Sequence, residues 1–332
     1  MVKKGRFKKA LITSAAVLGI LAAFTMSAFA AGRMLVPMGC TVGISLDSMG
    51  VIVAGYSQAQ SSPAKEAGIL PGDVIIRVGD RNITCAEDIR GCDLGTGELS
   101  ITVSRNGEEK TFTVKPAVNP DGTGELGLWL RDSISGIGTV TYYDPATGEF
   151  GALGHPVNDI DSGLMIPMRA GQISRATITD IVQGKCGTPG QLVGIFDFNA
   201  ICGNIQDNTP CGIFGKITDS GFSQNGNAIE AADASDIHTG KAVIISSINN
   251  GTPQEYNVEI TRVDRGSTDG RCMMLKVTDS QLLSATGGIV QGMSGSPIIQ
   301  DGKLIGAVTH VLINDPARGY GISIEKMLDA AA

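Results

Sequence analysis

The stretch TGGIVQGMSGSPIIQDGKLIGAVTHV at 286–311 decides how this chain reads. Two short apolar runs, Pro297–Ile299 and Leu304–His310, follow the glycine-rich turn Gly292-Met293-Ser294-Gly295-Ser296-Pro297. Glycine adopts backbone conformations closed to other residues, so such a turn lets a substrate come close to the main chain. Ser294 is then either a nucleophile or part of an ordinary strand connection. A serine hydroxyl is a weak nucleophile and needs an imidazole within hydrogen-bond reach. The G-x-S-x-G elbow of α/β-hydrolases is excluded, because position 296 is serine and no strand–helix alternation surrounds it. Ser296, beside Pro297, is the weaker candidate.

The composition around this turn favours strands. Glycine is abundant at 45 of 332 residues, aromatics make up 5% and charged residues 18%. Short apolar segments run from residue 126 onward: Leu126–Leu130, Thr139–Tyr143, Ile173–Ile181, Leu192–Phe198, Lys241–Ile248, Tyr256–Val263 and Cys272–Val277 precede the two already named. Turn residues separate them, and no helical period is sustained until Ser323–Ala330, which is the pattern of an all-β sandwich or barrel.

Residues 33–118 read as a separate α+β module, and 119–125, with Asn119-Pro120-Asp121-Gly122, as a linker. The spacing predicts strands at Val42–Leu46 and Gly50–Ala54 joined by a turn at Asp47–Gly50. Ser62-Pro63 opens a helix that Gly68 closes, and Val74–Val78 is a strand. Thr84-Cys85-Ala86-Glu87 reads as a capping box, and Leu99–Ser104 and Thr111–Val114 as a hairpin about Asn106-Gly107.

The N-terminus has a basic head, with Lys3, Lys4, Arg6, Lys8 and Lys9, and then no charge from Ala10 to Gly32. Ala28-Phe29-Ala30 has the small-x-small form of a signal peptidase site. Residues 1–31 are therefore expected to be a signal peptide or an uncleaved membrane anchor, with the bulk of the chain exported. Removing residues 1–30 takes away five of 26 basic side chains and none of the 33 acidic ones, deepening the net charge from −7 to −12. That excludes nucleic acid as the expected partner, since phosphate binding needs clustered Lys and Arg.

Seven cysteines are present, at 40, 85, 92, 186, 202, 211 and 272, without a C-x-x-C pair. No metal or other cofactor is expected from them, and most read as small buried hydrophobes, with Cys186–Cys211 or Cys85–Cys92 as candidate bridges.

Three histidines limit the choice of base. His238 lies in a polar turn and reads as a surface residue. His310 ends the strand after Ser294 and reads as structural or supporting. His155, after the apolar run Phe150–Leu153 and Gly154, is the candidate base. The backbone N–H groups of Gly292 and Ser294 are the candidate oxyanion donors, fixed in place before charge develops.

Two resemblances extend this reading. SPAKEAGILPGDVIIRVGDRNI at 62–83 resembles the PDZ domains of exported bacterial proteases. That likeness implies peptide binding by strand addition, with Val42, Gly43 and Ile44 donating backbone groups. GLWLRDSISGIGTVTYYDPATGEFGALGH at 127–155 and KVTDSQLLSATGGIVQGMSGSPIIQDGKLIGAVTHVLINDPARGYGI at 276–322 resemble the stage IV sporulation protein B family. The resemblance implies a mostly β chain: an N-terminal PDZ domain at 33–118, then a chymotrypsin-like double β-barrel peptidase domain at 126–332. It implies Ser294 as nucleophile, His155 as base and Asp279 as orienting acid, with Asp159 and Asp180 as competitors. It further implies export to the forespore intermembrane space. There the chain would cleave itself and a membrane-associated regulatory protein that restrains an intramembrane protease. A catalytically inactive PDZ scaffold is the competing expectation. Met293 excludes activation by a salt bridge from a new N-terminus at that position.

Overall fold

The computed structural model describes residues 32–332 apart from 58–61, 96, 121, 223–225 and 250–252. The signal or anchor expected at 1–31 lies outside the described residues. Among the described residues, no helix is long and apolar enough to cross a membrane.

The first strand, β1 (Met34–Tyr56), is 23 residues long and serves two cores. Val42, Ile44 and Leu46 point into one cluster with Val140, Phe150 and Ile173. Val51 and Val53 point into another with Ile75, Ile101 and Val103. Side chains alternate across a strand, so even and odd positions would normally face opposite sides. The register shift between Asp47 and Ile52 changes that parity midway, as a β-bulge does. The hairpin turn expected at Asp47–Gly50 is thus a bulge in one continuous strand. Strand β5 (Leu128–Tyr143) holds both halves together, pairing with β1 from Tyr56↔Leu128 to Val36↔Tyr143. It also merges the two segments expected at 126–130 and 139–143.

The second half of β1 continues into β2 (Val74–Val78), β3 (Leu99–Arg105) and β4 (Glu108–Val114). Two short helices, α1 (Pro63–Glu66) and α2 (Ala86–Arg90), pack on this sheet. Gly68 ends α1 at φ 97°, but the Ser62 hydroxyl bonds Gly127 O instead of capping the helix. The cap of α2 is Cys85, one residue later than expected, and Asp88 reaches back to its N–H. The buried Asp73 ties this module together by a two-pronged ion pair with Arg105.

The rest is two closed antiparallel barrels. In the first, β1 and β5 are joined by β6 (Glu149–Ala152), β7 (Met168–Val182), β8 (Gln191–Thr209) and β9 (Gly212–Ile217). Its order is β7-β8-β9-β6-β5-β1, closed by pairing of β1 with β7. The second contains β10 (Gly240–Ser246), β11 (Gln254–Val263), β12 (Met273–Val277), β13 (Pro297–Gln300), β14 (Lys303–Leu312) and β15 (Asp315–Ser323). Its order is β10-β11-β12-β15-β14-β13. Closure removes the exposed edges that an open sheet would carry. Helices α3 (Ser280–Thr286) and α4 (Ile324–Ala330) complete this half.

The double barrel agrees with the expected fold class. Met34–Ser48, placed in the PDZ segment by sequence, supplies the first strand of barrel one. The small α+β module is thus threaded between two strands of the peptidase and does not simply precede it.

This topology corrects the expected peptide-binding edge. Val42, Gly43 and Ile44 pair with Gly138, Ile137 and Gly136 on one side and with Arg175, Ser174 and Ile173 on the other. A strand with neighbours on both sides has no free N–H or C=O row, so no peptide can be added there. A Cβ on Gly43 would lie 2.4 Å from Phe196 Cβ, which shows how closely the sheet is covered.

Candidate active site

Ser294 and His155 come from different barrels and line one cleft of about 470 Å³. His155 follows β6 of barrel one, and Ser294 precedes β13 of barrel two. Leu153 and Gly154 turn the chain between them with φ of 69° and 72°. Glycine is required at 154, where a Cβ would meet Ile322 Cγ2 and Thr309 Cγ2, both at 2.9 Å. The cleft walls are mainly aliphatic: Ile44, Ile137, Leu153, Ile289, Val290 and Val311.

The serine turn is gripped from the opposite barrel. Leu192 N–H donates to Gln291 O at 2.8 Å. The Thr139 hydroxyl donates to Gly292 O at 2.8 Å, and Thr139 N–H to Ser294 O at 3.0 Å. Ser296 N–H donates to Met293 O, and Gly295 N–H to Val308 O. None of these bonds uses the N–H of Gly292 or of Ser294. Gly292 has φ 98°, a conformation that L side chains rarely adopt. Ser296 is fully buried, and its hydroxyl has no hydrogen-bond partner among the described residues. Met293 is also fully buried, in the apolar core of barrel two.

The Ser294 hydroxyl donates to Thr309 O at 2.7 Å, and no hydrogen bond joins it to His155. The imidazole Nδ1 lies 2.8 Å from Pro156 O. A carbonyl oxygen only accepts, so Nδ1 carries the proton and Nε2 holds the free lone pair. Burial pushes the His155 pKa below its ordinary value, against the pull of the Pro156 carbonyl, which favours the protonated ring. His310 stacks obliquely, with its ring centroid 5.2 Å from that of His155. Its pKa is held down to about 4, by desolvation first and then by His155 and Arg271, with Asp269 opposing. His310 therefore sits in the cleft as a neutral neighbour of the base. His238 is exposed and bonds Asp301, as a surface residue would.

None of the three candidate carboxylates reaches the imidazole. Asp279 is the N-cap of α3, accepting from Gln281 N–H and Leu282 N–H at 3.0 Å each. It also accepts from the main-chain and side-chain N–H groups of Asn257. Desolvation raises its pKa, but these bonds outweigh it and hold the carboxyl below its usual range. Asp159 is buried and bound to Arg131 at 2.5 Å and to Ser162 N–H and Oγ. Asp180 is exposed and bonds Ile181 N–H. The acid position inferred at Asp279 is therefore corrected: the oxygen at Nδ1 is the Pro156 carbonyl. Sequence reasoning could not find it, because a backbone acceptor leaves no residue-type signal.

The cap assignment gives a direct expectation. Asp279→Ala removes an N-cap and leaves the Asn257 amide without its acceptor, so about 1–2 kcal/mol of stability should be lost. Thermal unfolding should show Tm lower by several degrees, whereas Asp279→Asn, which retains capping oxygen, should lose less than half as much.

A serine and a histidine at the cleft of two closed barrels define a chymotrypsin-like serine endopeptidase. The chain belongs to the SpoIVB peptidase S55 family, which it matches over residues 122–328. A PDZ domain matches residues 38–115. Among solved structures, the crystal structure of the Rv3671c protease from M. tuberculosis in its active form is similar at 13% identity. The likeness covers 61% of this chain and 75% of that one, with a TM-score of 0.35. The inactive form of Rv3671c is also 13% identical, covering 59% and 82%, with a TM-score of 0.33.

Proposed function

We propose that this chain is an exported endopeptidase that acts between compartments during sporulation, cleaving itself and a membrane-associated regulatory protein. The family match supports the peptidase part, and the basic and apolar N-terminal sequence supports export. The observation that carries the catalytic reading is that His155 and Ser294, from separate barrels, line one aliphatic cleft.

In the reaction, the Ser294 hydroxyl turns from Thr309 O to His155 Nε2 and attacks the peptide carbonyl. The proton passes to Nε2, and the carbonyl π electrons move to oxygen, where the N–H groups of Gly292 and Ser294 receive the charge. Collapse expels the amine, which takes the proton from the imidazolium. Water then attacks the acyl-enzyme by the same route, regenerating serine and releasing the acid. The aliphatic walls select an apolar side chain next to the scissile bond, since desolvating a charge there would go uncompensated.

The test is cleavage of peptides differing only at the residue before the scissile bond, with leucine and lysine compared. Leucine peptides should be cut at least tenfold faster in kcat/KM. Activity needs neutral His155, so it falls as pH drops through the histidine's pKa. Because burial lowers that pKa, the acid limb should lie below the ordinary histidine value of about 6.5. Equal cleavage of both peptides would remove the apolar specificity. In sporulating cells lacking the chain, the membrane regulatory protein should stay uncut.

A further inference from the structure

The Pro156 carbonyl that faces His155 does not stand alone. It belongs to the Pro156–Val157 peptide unit, whose N–H donates to Asn208 Oδ1 at 2.9 Å. Asn208 Nδ2 donates to Val157 O at 3.0 Å and to Ile166 O at 3.1 Å. These contacts fix the amide orientation, because its oxygen must meet an N–H and its nitrogen must meet carbonyls. Asn208 sits at the end of β8, half-buried and paired with Ile213 of β9. The result is one unbroken chain of donors and acceptors: Asn208 Oδ1, the peptide N–H and C=O, His155 Nδ1.

We propose that Asn208 is the positioning residue of the catalytic histidine, holding through one peptide unit the carbonyl that orients the imidazole. Three observations converge on this. The carboxylates expected for the role are committed to other partners. The side-chain amide bonds Val157 N–H, which shares its peptide unit with Pro156 C=O, and Val157 C=O in the next unit, so two successive peptide units beside the imidazole are held. The chain order His155, Asn208, Ser294 is also the histidine–acid–serine order of the chymotrypsin triad, with an amide where that triad has its acid. The arrangement fixes the tautomer as a triad acid does but brings no negative charge. Asp159 is paired with Arg131, which also holds Asp161, and among the described residues His310, itself influenced by Arg271 and Asp269, is the titratable ring beside His155.

The test uses the full chain and a fluorophosphonate probe that reacts only with an activated serine. Asn208→Ala should slow labelling of Ser294 roughly 10- to 100-fold, because misplacing a catalytic group by about 1 Å has effects of that size. On a leucine peptide, kcat should fall by the same factor with KM nearly unchanged. Labelling of Asn208→Ala at the wild-type rate would overturn the proposal. If that variant does not fold, Asn208→Asp decides the matter, since it keeps an oxygen for the Val157 N–H. Its new negative charge favours imidazolium, so the acid limb of the labelling profile should move to higher pH. An unmoved limb would equally overturn the proposal. The inference rests on Ser294 and His155 reacting together. A failure of that reading would appear separately, as labelling that survives Ser294→Ala.

Discussion

Ser294→Ala should abolish fluorophosphonate labelling, peptide cleavage and self-cleavage while leaving the fold intact. Removal of the nucleophile in a serine–histidine enzyme lowers kcat on the order of 10⁵–10⁶-fold, and what remains comes from binding and oxyanion stabilisation. The structural loss is small. The hydroxyl makes one hydrogen bond, to Thr309 O, and that is worth about 1 kcal/mol. The turn's other ties, from Thr139, Leu192 and Val308, are backbone-anchored on the serine side and do not depend on the hydroxyl. Tm should therefore move by no more than a few degrees. The dissociation of activity from stability is the decisive readout. Ser296 supplies the alternative: it is two residues away, but its hydroxyl is fully buried. If Ser294→Ala still reacts and Ser296→Ala does not, the nucleophile is misassigned and the oxyanion assignment falls with it.

The sequence is most legible where local chemistry dictates structure. Val74–Val78 matches its expected strand to the residue, and the hairpin about Asn106-Gly107 follows from Asn106 adopting φ 54°. Ser294 and His155 stand out because the glycine turn and the scarcity of histidine narrow the choice. Three features are hidden, each for a physical reason. The continuity of β1 depends on a partner: β5 pairs across the bulge at Asp47–Ile52, and nothing local to Asp47-Ser48-Met49-Gly50 announces that. The closed state of the Val42–Ile44 edge depends on β7, more than a hundred residues away. The role of Asp279 is ambiguous in sequence because aspartate is favoured both as a helix cap and as a triad acid, and spacing alone does not separate the two. Strands β6, β9 and β15 give a weak signal because glycine interrupts their apolar pattern, as at Gly151, Gly215 and Gly319. At those glycines the barrel wall is close: a Cβ on Gly215 would lie 2.0 Å from Asn204 O.

Gly295→Ala should be the most damaging single-methyl change in the site, and it tests how the two barrels are joined. Gly295 has φ 97°, and a Cβ there would lie 1.9 Å from Thr139 O and 2.6 Å from Leu153 N. Both obstacles are main chain of barrel one, so neither can step aside as a flexible side chain would. Relief requires moving the Ser294 turn away from β5, which breaks the Thr139 bonds to Gly292 O and Ser294 O. Those bonds hold the serine opposite His155, so the base and the nucleophile separate as the barrels part. Left-handed strain costs about 1–2 kcal/mol, and forced overpacking typically adds about 1–3 kcal/mol. A loss of roughly 2–5 kcal/mol follows. Gly302→Ala separates the two contributions. Gly302 has φ 78° at the tip of the β13–β14 turn, and a Cβ there would meet nothing within 4 Å. It should show the backbone strain alone, with full labelling of Ser294. Gly295→Ala should unfold at a much lower temperature and, below that temperature, label at under roughly a hundredth of the wild-type rate. Equal Tm losses for the two variants would mean that the barrels are not locked together at Thr139.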